Sequence, residues 1–294
     1  GSVVLVLLMI AAHAAGMEPV CAADGAVSER EYCGEYFPLS GRRVSVFRTG
    51  TLSELARLTF IDWETGRVGT LNAAGADSFR AAPSRERPDI LQTEVVFFRD
   101  EAGTVRHLTI REGTGEPVHA RRRETFVEEP IEFTNGDVTL SGVLKTPLGE
   151  GPHPAVVLVH GSGPGGREQY ESIARFFVHL GIAVVSYDKR GCGSSTGDWR
   201  AVDLEELADD ALAALDRLRA HPAIDPRRIG LWGISQGGWI TPLAAARSGG
   251  VAFVINHSGP GTSLRRQDTY MMANVLRAGG IPAADIDLVI AGLN

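Results

Sequence analysis

The stretch Ile229-Gly-Leu-Trp-Gly-Ile-Ser-Gln-Gly-Gly-Trp239, IGLWGISQGGW, sets an apolar run directly against a serine among glycines. The pattern G-x-S-x-G holds at Gly233-Ile-Ser235-Gln-Gly237 and again at Gly193-Ser-Ser195-Thr-Gly197. Only the flanking residues separate the two, because such a turn presents a nucleophile when a strand runs into it and a helix runs out. Ser195 fails that test. The strand before it ends near Tyr187, the polar loop Asp188-Lys-Arg-Gly-Cys-Gly193 intervenes, and Thr196-Gly-Asp198 begins no apolar helix. Ser235 passes, since Ile229 to Trp232 lead straight in and Trp239-Ile-Thr-Pro-Leu-Ala-Ala-Ala246 continues as a helix. Pro242 falls within its first two turns, where few intrahelical N–H bonds are lost.

A sharp strand-to-helix turn forces its central residue into a sparsely populated backbone conformation, and Gly233 and Gly237 remove side chains that would collide there. The turn lifts the Ser235 hydroxyl above the carboxyl edge of the sheet, beside the unpaired N–H groups that open the next helix. The Gln236 amide is therefore a candidate donor to an oxyanion formed when Ser235 attacks a carbonyl. A second donor is expected from Val156-Val-Leu-Val-His-Gly-Ser-Gly-Pro-Gly-Gly166, a strand followed by a glycine-rich loop, with the Ser162 amide the best placed. A phosphate-binding loop fits this stretch less well, because G-K-[ST] is absent and Gly161-Ser-Gly163 lacks a third glycine at dinucleotide spacing.

Outward from the turn, strands and helices alternate. Ala155 to Val159, Ala183 to Tyr187, Ile229 to Trp232 and Val251 to Ile255 read as strands. Gln169 to Leu180 and Leu204 to Ala220 read as helices between them. Leu204, Leu207, Ala208, Ala211, Leu215 and Leu218 form one apolar stripe at helical spacing. Such alternation predicts an α/β fold with a mostly parallel sheet covered by helices on both faces. Ile131 to Leu144 reads as a hairpin leading into it, turned at Asn135-Gly136. Upstream, RVSVF, LARLTFID, TEVVFFRD, VRHLTIRE and PVHARR predict a small antiparallel β domain over residues 24–124, a sheet with one covered face.

The 294 residues carry a net charge of −7, and 44% are hydrophobic. That balance gives a large core and argues against a nucleic-acid partner, since the one basic run, Arg121 to Arg123, is followed by Glu124, Glu128 and Glu129. The apolar run Val3 to Ala12 is too short to span a bilayer and fits the core of an export signal, with Ala12-His13-Ala14 as a cleavage site. Residues 1–23 are accordingly expected to be a partial signal, and the mature protein to be periplasmic or extracellular and not membrane-bound. In that setting Cys21 and Cys33 are spaced for a short disulfide loop, with Cys192 left over. No Cys/His spacing resembles a zinc site, so neither metal nor organic cofactor is expected.

Taken in order, HGSGPGG, YDKRGCGSSTG and GISQGGW resemble the α/β-hydrolase family over about Phe126 to Asn294, and more narrowly its bacterial esterase-like members near the dienelactone-hydrolase and prolyl-oligopeptidase branches. The resemblance implies an α/β-hydrolase domain over 125–294. Ser235 is its nucleophile, Gln236 and Ser162 its oxyanion donors, and Asp188 to Ser195 a structural turn. It also implies an acid and then a histidine on later strands, yet no histidine follows His257. Leu264 to Leu276 and Ile286 to Ile290 read instead as the start of lid or cap helices over 260–294. The expectation is a serine hydrolase of ester-type small molecules, truncated at its C terminus and inactive as it stands. The alternatives are a prolyl-oligopeptidase-like peptidase, a thioesterase, or a non-catalytic binding protein on the same fold.

Overall fold

Fifteen residues between Arg57 and Leu71 already show the first building rule: Leu58, Phe60 and Leu71 are buried on one side of two strands joined at Glu64-Thr-Gly66. The computed structural model describes residues 27–39, 41, 43–50, 57–82 and 93–292. The expected signal segment and Cys21 lie outside the described residues, and Cys33 is a free thiol. After a one-turn helix α1 (Val27–Arg30) come eight strands: β1 (Gly34–Pro38), β2 (Val44–Thr49), β3 (Arg57–Asp62), β4 (Arg67–Ala73), β5 (Ser78–Ala82), β6 (Thr93–Arg99), β7 (Val105–Glu112) and β8 (Val118–Arg123). Each pairs antiparallel with the next, and β1 pairs with β8. The β region is thus a closed barrel, not the sheet with one covered face that the alternation suggested. Tyr36, Val46, Phe60, Phe79, Phe97 and Leu108 fill its interior, and closure removes both sheet edges.

The chain then builds a second sheet. Its elements are β9 (Phe126–Asn135), β10 (Val138–Pro147), β11 (His153–Val159), α2 (Glu171–His179), β12 (Ala183–Tyr187), α3 (Leu204–Arg219), β13 (Ile224–Ile234), α4 (Gly237–Arg247), β14 (Val254–His257), α5 (Leu264–Ala278) and α6 (Ala283–Gly292). The strand order is β14-β13-β11-β12-β10-β9. Four strands run parallel and the hairpin β9–β10 joins antiparallel, so the sheet is mixed. Two expected limits move: β13 starts earlier, at Ile224, and β14 starts later, at Val254.

Alternate residues of the parallel strands serve opposite faces. Ala155, Val157, Val159, Ala183 and Val185 meet Leu207, Ala211, Leu215 and Leu218 of α3 and Ile240 and Ala244 of α4. Val156, Leu158, Val184 and Trp232 meet Ala174, Phe177 and Val178 of α2 on the other face. At the N terminus of α3, Asp203 accepts from the Glu205 and Glu206 amides while the Glu206 carboxylate accepts from the Asp203 amide, a reciprocal cap that starts the helix here. Helix α2 also faces the barrel. The Arg175 guanidinium is buried between Glu35 of β1 and Glu171, and the Thr49 hydroxyl of β2 donates to the Gln169 carbonyl at 3.2 Å.

Candidate active site at the strand-to-helix turn

Ser235 sits between β13 and α4 with φ at +51°, in the left-handed region, and its side chain is exposed. Two close packing contacts and two main-chain hydrogen bonds hold it there. A Cβ on Gly233 would lie 2.4 Å from the Gly237 carbonyl oxygen, and one on Gly237 would lie 2.8 Å from that of Val159. The Ser235 N–H donates to the His257 carbonyl at 3.1 Å, and the Gly238 N–H donates to the Ser235 carbonyl at 2.8 Å. Gln236 takes the capping position of α4 with helical torsions, so its N–H precedes the first intrahelical acceptor.

The glycine-rich loop after β11 lies across from this turn. A Cβ built on Gly161 would stand 3.6 Å from the Ser235 Cβ. The Gly161 N–H is spent on the Tyr170 hydroxyl at 3.1 Å, and Ser162, the next residue, is exposed. Tyr170 packs edge-on against Trp232, which packs edge-on against His257, making an aromatic row alongside the turn. His160 is buried against Tyr187. Burial, reinforced by the Lys189 charge, pushes its pKa down to about 3, so it is neutral at physiological pH.

The loop from Asp188 to Ser195 is held by internal bonds. The Asp188 carboxylate accepts from Arg167 and from the Ser194 N–H, and Arg190 forms a two-pronged pair with Asp210. Ser195 is buried; its hydroxyl donates to the Asp188 carbonyl at 2.6 Å and accepts from the Ser141 N–H at 3.0 Å. Both G-x-S-x-G serines are thereby distinguished: one is exposed on a left-handed turn, the other is consumed by the fold.

Sequence reasoning missed two residues of this neighbourhood. Tyr170 holds the glycine loop, and Lys189 reaches from the Asp188 turn to both the loop and Gln236. A lysine two residues past the carboxyl end of a strand was the available signal, but its burial cannot be read from a polar loop. No side chain among the described residues hydrogen-bonds the Ser235 hydroxyl. His257 meets Ser235 through its main chain, while its ring lies against Trp232. Among the described residues, clefts of about 230 to 410 Å³ line the barrel, two of them at its junction with α2 and β9, and these do not include Ser235. Among the described residues, no His, Cys, Asp and Glu cluster is arranged to hold a metal, and no helix is long and apolar enough to cross a membrane.

Residues 150–279 match the family described as serine aminopeptidase, S33. Among curated proteins, the chain is 34% identical over 127 residues to the quorum-quenching protein AidA of Acinetobacter baumannii, covering 43% of this chain and 42% of that protein. It is 34% identical over 130 residues to the esterase EstD of Thermotoga maritima, covering 41% and 31%. It is 40% identical over 118 residues to the thiohydrolase aneE of Aspergillus aculeatus, covering 40% and 36%. The matched segments span less than half of each of these relatives.

Proposed function

The segment from residue 150 to residue 279 is that of an esterase-like α/β hydrolase, and from that premise we propose that the protein is a serine hydrolase of small carboxylic esters, with Ser235 as its nucleophile. The observation that carries this reading is the exposed Ser235 held at φ +51° between a parallel strand and a helix, with a glycine loop facing it. In the proposed reaction Ser235 Oγ bonds to the acyl carbon, its proton passes to a base, and the carbonyl oxygen takes up negative charge. The Gln236 and Ser162 amides stabilise that charge, each by about 2.7–4 kcal/mol. Collapse breaks the acyl–oxygen bond, the base returns the proton to the leaving alcohol, and water then releases the acid from the serine. No described histidine is placed to be that base. Export to the periplasm or beyond is part of this proposal, supported by the apolar run at Val3 to Ala12.

Similarity to a thiohydrolase gives a second reading, in which the leaving group is a thiol. Comparing p-nitrophenyl esters, acyl thioesters and peptide anilides on the full-length protein separates these. Ester turnover lost in Ser235→Ala supports the proposal, a strong thioester preference supports the second reading, and exclusive anilide cleavage defeats both.

A further inference from the structure

We propose that Lys189 is a positioning residue that clamps the glycine-rich loop to the nucleophile turn and thereby sets the direction of the Ser162 amide. The inference rests on the serine-hydrolase reading above. Lys189 follows β12 and is only 2% exposed. Its Nζ donates to three acceptors: the Gly161 carbonyl at 2.9 Å, the Gly163 carbonyl at 3.1 Å and Gln236 Oε1 at 3.0 Å. An ammonium has three N–H donors, so this set is complete. Its main chain is anchored to the same loop, since the Lys189 N–H donates to the Gly165 carbonyl at 2.9 Å.

The consequence for Ser162 follows from peptide geometry. The C=O and N–H of one trans peptide point in opposite directions. By drawing the Gly161 oxygen toward itself, Lys189 turns the Ser162 N–H the other way. Within Gly161–Pro164 the first amide is already bound to Tyr170 and the proline has none, which leaves Ser162 and Gly163 to meet a ligand. The third bond reaches the residue whose amide is the other candidate donor. One side chain therefore ties together both halves of the anion-stabilising pair.

The clamp depends on the charge state of the lysine. Its neighbours are the neutral His160, the Trp199 ring at 5.0 Å, Cys192 and Asp210, while Asp188 and Arg190 are engaged with Arg167 and Asp210. Burial pushes the Lys189 pKa down to about 8, against weaker opposition from Cys192 and Asp210. A neutral amine keeps two donors, so deprotonation releases one of the three acceptors and loosens the loop.

The test measures kcat and KM for a p-nitrophenyl ester from about pH 6 to about pH 9.5, on full-length wild type, Ser235→Ala, Lys189→Met and Gln236→Leu, after fluorophosphonate labelling of each. Lys189→Met is expected to lower kcat by about 10- to 100-fold with KM within about twofold. Wild-type kcat is expected to fall at alkaline pH with a midpoint near 8. Gln236→Leu leaves the lysine two acceptors, which a neutral amine can satisfy, so this variant is expected to lose the alkaline fall; it serves if Lys189→Met does not fold. Labelling at Ser235 combined with an unchanged kcat in Lys189→Met, or an alkaline fall retained in Gln236→Leu, overturns the clamp and leaves the hydrolase reading standing. A wild type that does not label at all overturns both.

Discussion

The main-chain N–H of Ser235 donates to the carbonyl of His257 at 3.1 Å, which couples the left-handed turn to the last strand of the sheet. Serine at φ +51° is strained, because an L residue there crowds its own Cβ against the following carbonyl by about 1–2 kcal/mol. The sheet, the Gly233–Gly237 contact and this bond impose the conformation, and the hydroxyl gains exposure from it. Ser235→Gly is therefore expected to raise stability by about 1 kcal/mol while abolishing ester hydrolysis. Urea unfolding measures the first and p-nitrophenyl ester turnover the second. A destabilised variant would show that the turn is relaxed.

The second serine makes the opposite prediction. Ser195→Ala strands the buried Ser141 N–H and the Asp188 carbonyl, and is expected to cost about 1–3 kcal/mol. Fluorophosphonate labelling per folded molecule is expected to stay at the wild-type level. Loss of labelling without loss of stability would reverse the roles of the two motifs.

Much of the second sheet and its helices is legible because its signals are local. Ala183 to Tyr187, apolar but for Ser186, forms β12 with those limits, and the Asn135-Gly136 turn joins β9 to β10 with Gly136 at φ +57°. Closure of the barrel is not local. It rests on β1 meeting β8, Tyr36 opposite Arg122, across a long loop of chain, and GEYFP is too short and too polar to announce a strand by itself. The start of β13 was hidden for a related reason, since Asp225-Pro-Arg-Arg228 reads as a turn, yet His153 pairs with Ile224 beside it. Lys189 was hidden because a charged residue in a glycine loop reads as solvated, and only the fold brings three acceptors to it.

The buried Glu35–Arg175 pair makes the barrel a support for α2 and, through it, for Tyr170. Arg175→Met leaves Glu35 buried without its strongest partner and is expected to destabilise the protein by about 3–5 kcal/mol. Hydrogen exchange is expected to quicken in both β2 and α2. A change confined to the barrel would show that the two parts are mechanically independent.

His160 gives the site an acid limit. Its folded pKa of about 3 lies below its ordinary value of 6.5, so between these the unfolded chain takes up a proton that the folded one refuses. Stability is unaffected above that window and is lost as pH falls through it. Between about pH 7 and about pH 5 the wild type is expected to lose about 2 kcal/mol more than His160→Gln, by urea titration. Parallel losses in the two proteins would place the acid sensitivity elsewhere.

The most direct measurement is mass-spectrometric mapping of a fluorophosphonate adduct on the full-length protein. A single adduct is expected on the peptide containing Ser235, abolished in Ser235→Ala and retained in Ser195→Ala. An adduct on Ser195, or none on the folded wild-type protein, would contradict Ser235 as the nucleophile.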